Sequence, residues 1–167
     1  MARVQAAHVL ATDRTELLSL LERLPPRAMT QAGLGGGEWS PKDLLGHLES
    51  WEEHALGALE AWSRGARAPI DAAFARSSVA ALNADEVARK ARRSAPVARR
   101  SAEQTHARLL AALRDLGDAA WEAPATPRGR KPLGHRLGSI LGGPAGPFRH
   151  DAAHLPDVRA FVELHPG

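Results

Sequence analysis

The chain has 167 residues, a formal net charge of +3 and no cysteine. That length fits one domain over residues 1–167 with a single buried core, and the lack of thiols excludes disulfides, thiolate metal sites, cysteine nucleophiles and redox CxxC pairs. No stretch approaches the roughly 18 uninterrupted apolar residues of a membrane span, and the amino terminus has no long apolar region, so a cytoplasmic protein that does not insert into membranes is expected.

Alanine, leucine, arginine and glutamate dominate, and no alternating strand pattern of useful length occurs, which predicts an all-α fold. Leu10, Leu17, Leu20, Leu21 and Leu24 recur at helical spacing in the first stretch until Pro25 and Pro26 end it. The following "GLGGGE" does not succeed a strand and reads as a flexible connector. A second helix starts at "WSPKDLLGHLESWEEHALGALEAW": Ser40 caps it, Pro41 suits its first turn and Asp43 completes an S-x-x-D box. Leu44, Leu48, Trp51, Ala55, Leu59 and Trp62 form its buried stripe, and His47 lies on that side.

A third helix is predicted from the capping-box spacing of Asn83 and Glu86 to Leu116, kinked or split by Pro96 and stopped by Gly117. Its inner face is Ala98, Ala102, Thr105, Leu109, Leu113 and Leu116. The basic run Arg89, Lys90, Arg92, Arg93, Arg99 and Arg100 reads as a solvated face, because it lacks aromatic residues for base stacking and nucleic acid is a poor candidate partner. From Trp121 to Pro147 proline, glycine and arginine give a long connection with one short helical piece around "GHRLGSIL". The last helix covers Phe148 to Leu164, with Leu155, Val158 and Val162 inward.

Chemistry concentrates in the histidines. Residues four apart on a helix share a face, so His150 and His154 in "FRHDAAHLPD" are able to bind one ion together. An open metal site needs about three protein ligands, and His47 on the inner face of another helix is the natural third. Three neutral imidazoles without thiolate suit zinc, nickel, cobalt, copper or iron(II) rather than calcium or magnesium. The plainer alternative is a pair of half-buried histidines bonded to backbone carbonyls. His54, further along the second helix, is a candidate for proton transfer, as is Asp151, although helix phase puts Asp151 off the ligand face. His106 reads as a satisfied histidine at the core edge. Trp51 and the "GGPAGPF" segment, with Phe148, are candidate pocket walls. The zincin H-E-x-x-H, the P-loop, the dinucleotide fingerprint and the G-x-S-x-G elbow are all missing.

Three segments together resemble a known family: "EWSPKDLLGHLESWEEHAL", then "LNADEV" with "EQTHARLLAAL", and "RHDAAHLPDVRAFV" with its closing H-x-x-x-H. They are similar to the DinB-like (DinB/YfiT) superfamily of metalloenzymes, and within it to the ClbS/DfsB branch. The resemblance runs from Trp39 to Val162. It implies a four-helix bundle of DinB/YfiT type holding zinc or nickel, with His47, His150 and His154 as ligands. It also implies a small-molecule substrate, metal-assisted hydrolysis or transfer of a low-molecular-weight thiol, and a detoxifying or self-protective role. Ala153 stands where the family commonly has an acid. Exposed bundle faces make a homodimer an expectation. The competing function is a non-catalytic protein of the same fold that binds and sequesters a reactive small molecule; weaker still is nucleic-acid binding by the arginine-rich helix, which would show steep salt dependence.

Overall fold

The computed structural model describes residues 1–167 and is helical throughout, with no strand beyond two isolated bridges. Eight α-helices follow one another: α1 (Arg3–Leu21), α2 (Pro41–Ser63), α3 (Pro69–Phe74), α4 (Val79–Lys90), α5 (Ala95–Asp115), α6 (Asp118–Glu122), α7 (Leu133–Ile140) and α8 (His150–Leu164). The long helices α1, α2, α5 and α8 pack against one another, α2 chiefly on α5 and α1 chiefly on α8. No helix is long and apolar enough to cross a membrane.

Helix α2 begins where its sequence says it should. The Asp43 backbone N–H donates to Ser40 Oγ at 3.3 Å, and the Ser40 backbone N–H donates to Asp43 Oδ2 at 3.0 Å. That reciprocal box satisfies two donors that a helix start leaves open, with Pro41 in the first turn where no N–H is required.

The expected third helix is two helices. Its true start is Ser78, whose Oγ accepts from the Ala81 N–H at 3.1 Å, so Asn83 and Glu86 lie inside α4 and do not cap it. Pro96 does not kink a continuous helix; it occupies the first turn of α5 after Ser94. A proline tolerated only at a helix start makes the break complete. Gly117 does not terminate α5 in a left-handed turn; its φ is −71° and it leads into α6. In the last helix Pro156 is accommodated internally.

The basic run is a solvated face in part: Arg89, Arg92 and Arg100 are exposed, whereas Lys90 turns inward. Lys90 is buried, with Nζ 3.1 Å from Glu49 Oε2 and 3.0 Å from Glu53 Oε2. Arg93 reaches the same buried Glu49 at 2.7 Å, Arg89 pairs with Glu53 and Glu86, and Arg99 with Glu22 and Glu103. Buried Glu49 of α2 draws Lys90 and Arg93 toward the core, because a buried acid without a partner is far more costly than a paired one.

Apolar packing forms two clusters. One contains Leu10, Trp51, Ala55, Leu109 and Phe148; the other contains Leu17, Leu48, Ala102, Leu155 and Val158. Between them along the helices lies a buried polar layer with one residue from each long helix: Arg14 (α1), Glu52 (α2), His106 (α5) and Asp151 (α8). Arg14 Nε donates to Asp151 Oδ2 at 2.5 Å and its Nη2 to Glu52 Oε1 at 3.2 Å, while His106 Nδ1 lies 2.5 Å from the same Glu52 oxygen. Burial opposes the Arg14 charge, but Asp151 and Glu52 outweigh it and raise its pKa above the usual arginine value.

Candidate metal centre

His47 projects from the buried stripe of α2, with 2 % of its surface exposed, and His150 and His154 project from the first turns of α8. Their packing brings three ring nitrogens together. His47 Nε2 is 2.9 Å from His150 Nε2, and His154 Nε2 is 3.4 Å from that same atom. One ligand atom from each lies within 4.8 Å of the others. Imidazoles binding one tetrahedral ion at about 2.0–2.1 Å place their nitrogens roughly 3.3 Å apart, so small side-chain rotations would bring all three to that spacing around one ion.

The environment of the rings agrees. Burial, reinforced by the neighbouring His150 and His154, pushes the His47 pKa down to about 2. Burial likewise pushes His150 down to about 4 and lowers His154. At neutral pH the rings are therefore unprotonated, the state in which imidazole binds a metal.

This depression has a thermodynamic consequence. A histidine whose folded pKa lies below the ordinary 6.5 is protonated first in the unfolded chain, so acid favours unfolding. Its contribution is fully present above about pH 6.5 and is lost as pH falls toward about 4. Urea midpoints of metal-free protein are expected to drop across that window, and the drop should be shallower in His150→Gln. Parallel pH profiles for the two proteins would show that His150 does not titrate with unfolding.

A cavity of about 400 Å³ opens over the imidazoles. Trp51 and Phe74 stack along one wall with ring centroids 6.0 Å apart, and Ile140, Val79 and Pro144 add apolar surface. Asn83 is the main amide in the lining; its Oδ1 accepts from Trp51 Nε1 at 3.0 Å, which fixes both side chains. Of the residues singled out from sequence, His47, His150, His154 and Trp51 meet here. Phe148 is buried against Trp121, centroids 5.6 Å apart, and lines a neighbouring cavity beyond Gly142 and Gly143. The Asp151 carboxylate is committed to Arg14. His54 packs edge-on against Trp51, with Nε2 3.6 Å from Glu86 Oε1.

Phe74, Trp39 and Asp157 were not named as site residues from the sequence, and Asn83 was read there only as a helix cap. Asp157 carried a usable signal, since it follows His154 by three residues and so shares its helix face. The stretch "GLGGGE" is also more than a connector. Gly33, Gly35 and Gly36 adopt positive φ, and the resulting turn packs on α8 so closely that a Cβ on Gly35 would lie 3.0 Å from Asp157 Oδ2. The positive φ is what favours glycine there, since the Asp157 carboxylate could swing aside.

A family model for the DinB superfamily matches residues 10–143. The chain belongs to the DinB superfamily. The matched region contains His47 and ends before the two histidines of α8. Among solved structures this DinB-superfamily chain is similar to an uncharacterised protein from Escherichia coli UTI89, with a TM-score of 0.76 over 98 % of this chain and 94 % of that one. Identity is 11 %, so the likeness is one of fold alone. No curated protein matches the chain.

Proposed function

We propose that this DinB-superfamily chain is a divalent-metal-dependent enzyme, a four-helix bundle of DinB/YfiT type from the ClbS/DfsB branch, acting on a small molecule in the cytoplasm. The observation that carries the reading is the convergence of the Nε2 atoms of His47, His150 and His154 at the floor of an open cavity. His47, His150 and His154 would hold the divalent ion, zinc or nickel by the family resemblance, and it would supply Lewis-acid polarisation and a lowered pKa for water or a thiol. Metal-assisted hydrolysis and thiol transfer share this ligand set, and either serves detoxification or self-protection.

The protein's own groups do the rest. Trp51 and Phe74 hold an apolar part of the substrate and exclude water, and Asn83 presents an amide to its polar part. Asp151 acts as a positioning residue: through Arg14 it anchors the first turn of α8, which carries His150. His54 packs edge-on against the Trp51 ring outside the cavity lining and so steadies that wall, and its own pKa is lowered by burial. Phe148 supports the glycine wall between the two cavities.

Metal content of protein purified without an affinity tag tests the proposal. About one equivalent per chain is expected, with chelation abolishing any turnover found in hydrolase and thiol-transfer screens. Little metal and failed reconstitution would overturn the metalloenzyme and favour sequestration without turnover.

A further inference from the structure

The site cavity does not end at His154. A second cavity of about 410 Å³ adjoins it, and His154 and Asp157 line both. Its walls include Trp39 and Glu38, with the Trp39 ring packed on the His47 ring at 4.9 Å. No lysine or arginine lines either cavity, although the chain has 22 such residues. Neither Glu38 nor Asp157 takes part in any ion pair of the chain. Both are exposed, and what sets them apart from the chain's other unpaired acids, Asp85, Glu122 and Glu163, is that they share a cavity with a tryptophan beside the imidazoles.

An aromatic face together with carboxylates is the chemistry that recognises an ammonium group: the ring quadrupole attracts the cation and the acids neutralise it. At the other mouth, Phe74 is 42 % and Val79 50 % exposed, apolar surface that a bound molecule would cover. We propose that Trp39, Glu38 and Asp157 form a cation subsite, and that the substrate is a small molecule with an ammonium group joined to an apolar body lying along Trp51 and Phe74. The identification of the substrate class rests on the metalloenzyme reading; the subsite itself does not need the ion.

Benzyltrimethylammonium tests it, with benzyl alcohol as the uncharged comparison, by calorimetric titration of the full chain both zinc-loaded and chelator-treated. Metal content is measured on the same samples. The cation is expected to bind at least about ten-fold more tightly than the alcohol in both preparations. In Glu38→Gln/Asp157→Asn, whose sites are on the surface and whose far-UV spectrum should be unchanged, the ratio should fall to about two-fold or less. Equal affinities in the wild type, a preference that survives the double substitution, or no saturable binding below about 10 mM would each overturn the subsite. A preference in a protein that takes up no metal would leave the subsite standing and remove the metalloenzyme; metal uptake without preference would do the reverse.

Discussion

His150→Ala is expected to lose its metal, falling from about one equivalent per chain to less than about a tenth. His150 Nε2 is the atom common to both short contacts, 2.9 Å from His47 and 3.4 Å from His154, so its removal leaves two donors with nothing between them. Second, the ring is only partly buried by its neighbours and lies at the start of α8, so the helix should persist and the loss should be one of binding alone. Elemental analysis beside far-UV circular dichroism separates the two effects. Full metal retention in a folded variant would refute the ligand assignment.

Arg14→Met is expected to destabilise the fold by about 3–5 kcal/mol, read from urea unfolding near neutral pH. Arg14 is the cation between two buried carboxylates, Asp151 and Glu52, whose side chains are 8 % and 4 % exposed. Methionine fills similar volume but leaves Asp151 without a partner and Glu52 with His106 alone in the layer between the two apolar clusters. The triple variant Arg14→Met/Glu52→Gln/Asp151→Asn should recover part of the loss, since it removes the uncompensated charge rather than the packing. Because Asp151 precedes no spacer before the ligand turn and follows His150 directly, metal affinity should fall in Arg14→Met as well. A loss under about 1 kcal/mol would mean that the layer behaves like a surface ion pair.

Much of the helical architecture is written locally. Ser40, Pro41 and Asp43 announce α2 in a way that needs no tertiary contact, because the capping box is closed by residues three apart. The i, i+4 spacing of His150 and His154 likewise fixes a shared face before any packing occurs. The approach to α8 shows where local reading weakens: α7 was legible in it but α6, at its start, was not, and the two are held by close approaches such as Gly134 beneath Trp121, where a Cβ would meet the ring at 2.2 Å. Asn83 and Glu86 had capping-box spacing yet bond to Trp51, Ser50 and Arg89 from inside α4, because spacing does not say which of several candidate residues starts a helix.

By itself the sequence determined the helical class, the α2 start, the inward side of His47 and the paired histidines of α8, all of which follow from periods and caps within a few residues. Only the tertiary structure decided which charges meet. Arg14, Glu52, His106 and Asp151 are separated by up to 137 positions, and Lys90 finds Glu49 and Glu53 across helices. The same holds for the second cavity, where the glycine turn brings Glu38 and Trp39 beside Asp157. Periodicity assigns a side chain to a face; the partner it meets there depends on how the helices cross and rotate against each other, which is set by the packing of the whole core.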